Sequence, residues 1–111
     1  MKFNLDNEPS NKAALVIFDI AVNHGNANAG MMMQRALNKM GNDLVVDKKV
    51  GPKTIAALHA ADPDEFCEQI LKVRENFYYK IVENRPSQKV FLKGWLNRIK
   101  NLKKILINFE D

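Results

Sequence analysis

The chain has 111 residues, of which 46% are hydrophobic and 27% charged, with a net charge of +4. That is room for one domain with one core, and too much apolar content for a disordered chain. Cys67 is the only cysteine, which excludes an internal disulfide, and the longest clean apolar run, residues 13–18, falls far short of the roughly 20 residues a membrane span needs.

Residues 1–9 read as a linker-like segment and residues 10–111 as one helical domain. The first twelve residues, MKFNLDNEPSNK, lack the apolar stretch of a signal peptide, so synthesis in the cytoplasm without a signal is expected. A first helix is predicted over 10–24, with Pro9 in its first turn and Leu15, Phe18 and Val22 on its inward face. It stops at Gly25, which can take a left-handed cap. A second helix over 27–40 turns Met33, Leu37 and Met40 inward and ends at Gly41-Asn42. Residues 43–47 (DLVVD) favour an extended rung or a tiny hairpin, too small to change the class.

Gly51-Pro52 opens a third helix over 53–60. Asp62-Pro63-Asp64-Glu65 is a strong start for the fourth: a capping Asp, Pro in the first position and acids in the first turn. Phe66, Ile70, Val73, Phe77 and Ile81 then recur at helical spacing, and Asn84-Arg85-Pro86 breaks the helix. Ser87 is placed to cap a fifth helix, whose inward stripe reads Phe91, Trp95, Ile99, Leu102 and Leu106. The expectation is an all-α domain, a compact bundle of about five helices. Nothing alternates strand and helix as a nucleotide-binding α/β fold would.

The charge is uneven. Residues 86–111 hold Lys89, Lys93, Arg98, Lys100, Lys103 and Lys104 against Glu110 and Asp111, which accounts for the whole +4. Such a helix is either a solvated face or an attractor of polyanions: nucleic acid, anionic lipid or anionic wall polymers.

Few residues carry a chemical signature. There is no glycine-rich phosphate loop, and His24 and His59 do not form a metal-ligand pattern, so neither metal nor cofactor is expected. His59, at a helix end, reads as structural. Cys67 reads as a small buried hydrophobe. Glycoside hydrolysis would need a pair of carboxylates. Glu65, Glu68, Glu75 and Glu83 lie mostly off the apolar stripe of the fourth helix, and Glu75 with its neighbours Arg74 and Lys72 reads as surface charge. Asp19 differs, because it interrupts an apolar helix with Asn23 four residues on. It reads as a structural brace, held by the Asn23 region or a nearby turn, in preference to a catalytic group.

Four stretches resemble motifs of the C-terminal region of glycoside hydrolase family 108, usually called a peptidoglycan-binding domain. Residues 18–25 (FDIAVNHG) are similar to its FDxAVNxG signature, and 33–37 (MQRAL) to its LQRAL element. Residues 46–58 (VDKKVGPKTIAAL) resemble VDGxxGPKTLAAL, and 91–98 (FLKGWLNR) resemble FLxGWLNR. They stand in the family's order, and the resemblance spans nearly the whole chain from residue 13 to 99. The resemblance implies muramidases with a lysozyme-like helical fold that cut the glycan strand of peptidoglycan. Here it implies the C-terminal lobe of that fold. The family's catalytic Glu lies in an EGGY-type motif near the start of a longer chain. No EGGY occurs here, and Glu8, in the linker-like segment, does not inherit the role. Lys48 stands where the family has Gly after Asp47, which implies an altered or mildly strained loop.

On this reading the substrate-binding candidates are Asp19, Asn23, His24, Gln34, Asp47, Lys53, Thr54 and Arg98. Asn23 and His24 lie at a helix end, where side chains either reach a ligand or simply cap. Gln34 and Thr54 read equally as surface and capping groups. Arg98 and Tyr78 are candidate rim contacts, Tyr79 less so. Trp95 reads as core in preference to a sugar platform. The expected function is a peptidoglycan-binding module of a muramidase-type wall hydrolase, acting at the cell wall and not catalytic alone. Its expected partners are glycan strands and a separate catalytic lobe. The alternatives are an active or partner-complemented muramidase, and a scaffold or regulatory protein that uses the basic helix on nucleic acid or membrane.

Overall fold

The computed structural model describes residues 10–108; the linker-like segment 1–9 lies outside them. Five helices follow in order: α1 Asn11–His24, α2 Asn26–Lys39, α3 Pro52–Ala60, α4 Pro63–Asn84 and α5 Lys89–Ile107, the last preceded by a short 3-10 turn, Pro86–Gln88. The all-α expectation is therefore met, and there is no strand among the described residues.

The local signals explain most boundaries. Ser10 caps α1 by accepting from the Ala13 N–H, and Asp62 caps α4 by accepting from the Glu65 N–H, with Pro63 in the first turn. Gly25 alone connects α1 to α2. Its N–H donates to the Ala21 carbonyl at 2.9 Å and its carbonyl accepts from the Ala29 N–H at 3.0 Å. It does this at φ 86°, ψ 160°, a conformation closed to residues with a Cβ.

Helix α4 is the spine, packed by α1, α2 and α5. It buries Phe66, Cys67, Ile70, Leu71, Val73, Arg74 and Tyr78. Phe77 and Ile81 flank that face, half-buried. Against it stand Met32, Met33, Ala36 and Leu37 of α2 and Ile99, Leu102 and Leu106 of α5. Met40 covers the edge.

Three inward assignments are corrected. Phe18 and Val22 are 52% and 66% exposed. The face of α1 that meets the bundle is Ala13, Val16, Ile17, Ile20 and Ala21, at i, i+3, i+4, i+7 and i+8. The helix offers two apolar stripes, and packing uses the one with small Ala residues, which lets neighbours approach. Phe91 is 51% exposed, because it lies at the start of α5 and stacks on Trp95, with ring centroids 5.9 Å apart.

Two local assignments also change. Ser87 lies inside the 3-10 turn, and α5 begins at Lys89, with Gln88 before it making no side-chain cap. Residues 43–47 pair with no strand. Instead the Asn38 amide takes both backbone groups of Leu44, donating to its carbonyl at 2.9 Å and accepting from its N–H at 2.7 Å.

Candidate functional site

Two polar clusters gather the sequence-predicted site residues. The first is built around Arg74, at the middle of α4, whose side chain has no exposed surface. Its Nη1 donates to Asp19 Oδ2 at 2.7 Å, its Nε to His24 Nε2 at 3.1 Å and its Nη2 to the Tyr78 hydroxyl at 3.2 Å. From α5, Arg98 Nη2 donates to the other Asp19 oxygen, Oδ1, at 2.9 Å. Asp19 thus bridges two guanidiniums and ties α1 to both α4 and α5. The anticipated brace is there, but its partners are arginines distant in sequence. Asn23, exposed, donates to the Asp19 backbone carbonyl at 2.7 Å and does not touch the carboxylate.

The electrostatics follow from that geometry. Burial raises the Asp19 carboxyl, but the hydrogen bonds and charges of Arg74 and Arg98 outweigh it, holding the group below its ordinary 3.8. His24 is pushed down to about 4 by burial and by the Arg74 charge. It is therefore neutral near pH 7, with the proton on Nδ1, because Nε2 accepts from Arg74. The Tyr78 hydroxyl, 3.0 Å away, completes the ring of contacts. Tyr78 stacks on Trp95 with centroids 4.8 Å apart, so an aromatic column runs from the buried arginine to the half-buried face of α5.

The second cluster holds the loop between α2 and α3. Gln34 on α2 is buried, and its Nε2 donates to the Lys49 carbonyl at 2.9 Å and to Asp47 Oδ1 at 3.0 Å, with Thr54 Oγ1 at 3.4 Å. Its Oε1 accepts the Lys48 N–H at 3.1 Å. The Lys49 N–H and the Gln34 amide together hold the Asp47 carboxyl below its ordinary value. Lys48 takes φ 67°, the left-handed conformation expected where Gly is replaced. One turn before Gln34, Gly30 lets the loop lie on the helix: a Cβ there would meet the Lys48 carbonyl oxygen at 2.8 Å. Gln34, Asp47, Lys53 and Thr54 line one depression of about 450 Å³.

The eight predicted residues therefore fall into two groups. Asp19, His24 and Arg98 share the arginine cluster, with Asn23 at its edge; Gln34, Asp47, Lys53 and Thr54 share the loop cluster. Sequence reasoning missed the centre of the first. Arg74 was read with the surface charges, and Tyr78 as a rim contact, yet both are buried. The available signal was phase: Arg74 falls four residues after Ile70 and four before Tyr78, on the apolar stripe of α4. Among the described residues no group of three or more His, Cys, Asp or Glu could hold a metal ion, and no helix is long and apolar enough to cross a membrane.

Compared with known proteins, residues 28–100 match the model of a family described as "Predicted Peptidoglycan domain". The match runs from α2 through most of α5 and includes the loop cluster, Arg74, Tyr78 and Arg98. No curated protein and no solved structure matches the chain.

Proposed function

Because the chain belongs to the family described as a predicted peptidoglycan domain, we propose that it is a wall-docking module that engages the glycan strands of peptidoglycan on behalf of a muramidase-type hydrolase. The family match over residues 28–100 carries this reading. The motifs that resemble glycoside hydrolase family 108 support the hydrolase context, because they supply the eight candidate residues that gather in the two clusters, though not Arg74 or Tyr78. FDIAVNHG contributes Asp19, Asn23 and His24, MQRAL contributes Gln34, VDKKVGPKTIAAL contributes Asp47, Lys53 and Thr54, and FLKGWLNR contributes Arg98. In this proposal the exposed Asn23, Asp47, Lys53 and Arg98 meet the wall, while Asp19, His24, Gln34 and Thr54 hold them in place.

The state of Asp19 argues against its serving as the catalytic acid. A glycosidase acid needs a carboxyl whose pKa is raised, so that it still carries a proton near neutral pH. Asp19 is held ionised by two guanidiniums, the opposite condition. The catalytic acid would then come from a separate lobe.

The test is sedimentation of the 111-residue protein with insoluble purified peptidoglycan, with turbidity followed on the same suspension. Binding without clearing is expected, and it should persist in added salt. Failure to sediment would overturn the docking role, and clearing would overturn the non-catalytic one. Binding that collapses with modest salt would instead favour a polyanion acting on the exposed lysines of α5.

A further inference from the structure

We propose that the groove between α1 and α5 formed by Asp19, Gly94, Asn97, Arg98 and Asn101 is a binding site for an N-acetylated glycan strand, a proposal that rests on the wall-docking reading above. The depression measures about 400 Å³, within the range of small-ligand sites.

Gly94 is the first indication. It stands inside α5, where Gly is among the poorest helix formers. A Cβ added there would meet nothing within 4 Å, so no neighbour in the fold requires its absence. What a glycine does provide is bare backbone at the floor of a groove, open to close approach by a ligand. The second indication is the pair Asn97 and Asn101, four residues apart on the same helix and both exposed. Asn is also a weak residue in a helix interior. Neither amide makes a hydrogen bond among the described residues. Each presents a donor and an acceptor to the groove, the complement of an acetamido group and of sugar hydroxyls.

Arg98 adds a fixed donor. Its Nη2 is committed to Asp19, and its side chain is 52% exposed, which leaves guanidinium N–H groups facing the groove. Asp19 is shared between Arg98 and the buried Arg74, and the other polar side chains of the groove, Asn97 and Asn101, are neutral amides, which match a hydroxyl- and amide-rich chain. The lysines that would attract a polyanion, Lys89, Lys93, Lys100 and Lys104, lie roughly a third of a turn away around α5. Residues 91, 94, 98, 101 and 105 recur at three- and four-residue spacing, so Phe91 heads the same face. Its exposed ring is backed by Trp95, which is in turn backed by Tyr78. A ring held this way offers a flat apolar surface to the face of a pyranose.

The experiment compares the full-length protein with Gly94→Ala and with Asn97→Ala/Asn101→Ala, in sedimentation with purified peptidoglycan and in NMR titration with the N-acetylglucosamine tetrasaccharide. Gly94→Ala should raise Tm by about 3–6 °C through helix propensity and yet weaken binding at least about tenfold. A purely structural glycine would not give opposite signs. The double Asn variant should keep its fold by circular dichroism and lose binding by a similar factor. Lys89→Ala/Lys103→Ala, two exposed lysines farther around α5 from Gly94, Asn97 and Asn101, should bind as the parent does. If the parent sediments and all variants bind equally, or if the shifts map to the loop between α2 and α3 and leave the groove unmoved, the groove assignment is overturned and the docking role stands. Binding of a free stem peptide in place of the tetrasaccharide also overturns it. If the parent does not sediment, the docking reading itself fails.

Discussion

The cluster around Arg74 and the cluster around Gln34 each join distant parts of the chain through one buried polar side chain, but the first is a full charge and the second a neutral amide. A buried charge is tolerable only when paired, so the first cluster recruits a carboxylate, a neutral imidazole and a phenol from two helices. A buried amide needs only ordinary hydrogen bonds, and the second cluster finds them in backbone groups of one adjacent loop. The first therefore fixes how helices sit on each other, and the second fixes the shape of a loop that faces solvent. Substitutions in the two should differ in size and in reach.

Arg74→Met should have the largest effect, about 3–5 kcal/mol, read as a fall in the denaturation midpoint. It strips Asp19 and His24 of their common partner. Arg98→Met touches the same carboxylate but removes an exposed partner, and should cost no more than about 1 kcal/mol. Equal losses for the two arginines would break the claim that burial sets the difference. Gln34→Leu comes next, at about 1–3 kcal/mol, because it leaves the Lys48 N–H and the Lys49 carbonyl unpaired. Its amide exchange should quicken in the loop between α2 and α3 and leave α1 and α5 unchanged.

A smaller effect is expected from acid. His24 titrates at about 4 in the fold against an ordinary 6.5, so between those values the unfolded chain takes up a proton that the folded one refuses. Stability should thus fall as pH drops from 6.5 towards 4. Discounted for the half-exposed ring, the loss is about 1 kcal/mol, roughly 3–6 °C in Tm. Asp19, whose pKa is depressed, contributes stability that is present above 3.8 and lost below it. His24→Gln should flatten the upper part of that profile, and a slope unchanged by the substitution would move its cause elsewhere. The smallest effect belongs to the loop. Lys48→Gly should relieve the left-handed backbone at φ 67° and gain under about 1 kcal/mol, partly offset by the added freedom of the unfolded chain. A loss of stability on that change would show that the Lys48 side chain matters more than its backbone.

Helix number, most helix ends and the core faces of α2 and α4 were legible in the amino-acid sequence, because caps, prolines and the spacing of apolar residues act over a few positions. Residues 18, 22 and 91 were not assignable, since α1 carries two apolar stripes and only its neighbours choose between them. The membership of both site groups was legible one residue at a time, through motifs, but not as two separate clusters. That division, and the place of Arg74 at the centre of one of them, came from tertiary structure alone. Local propensity states that an arginine is compatible with a helix. Whether it meets water or a carboxylate fifty-five residues away depends on how α1, α4 and α5 pack, and that packing is decided by the whole core at once.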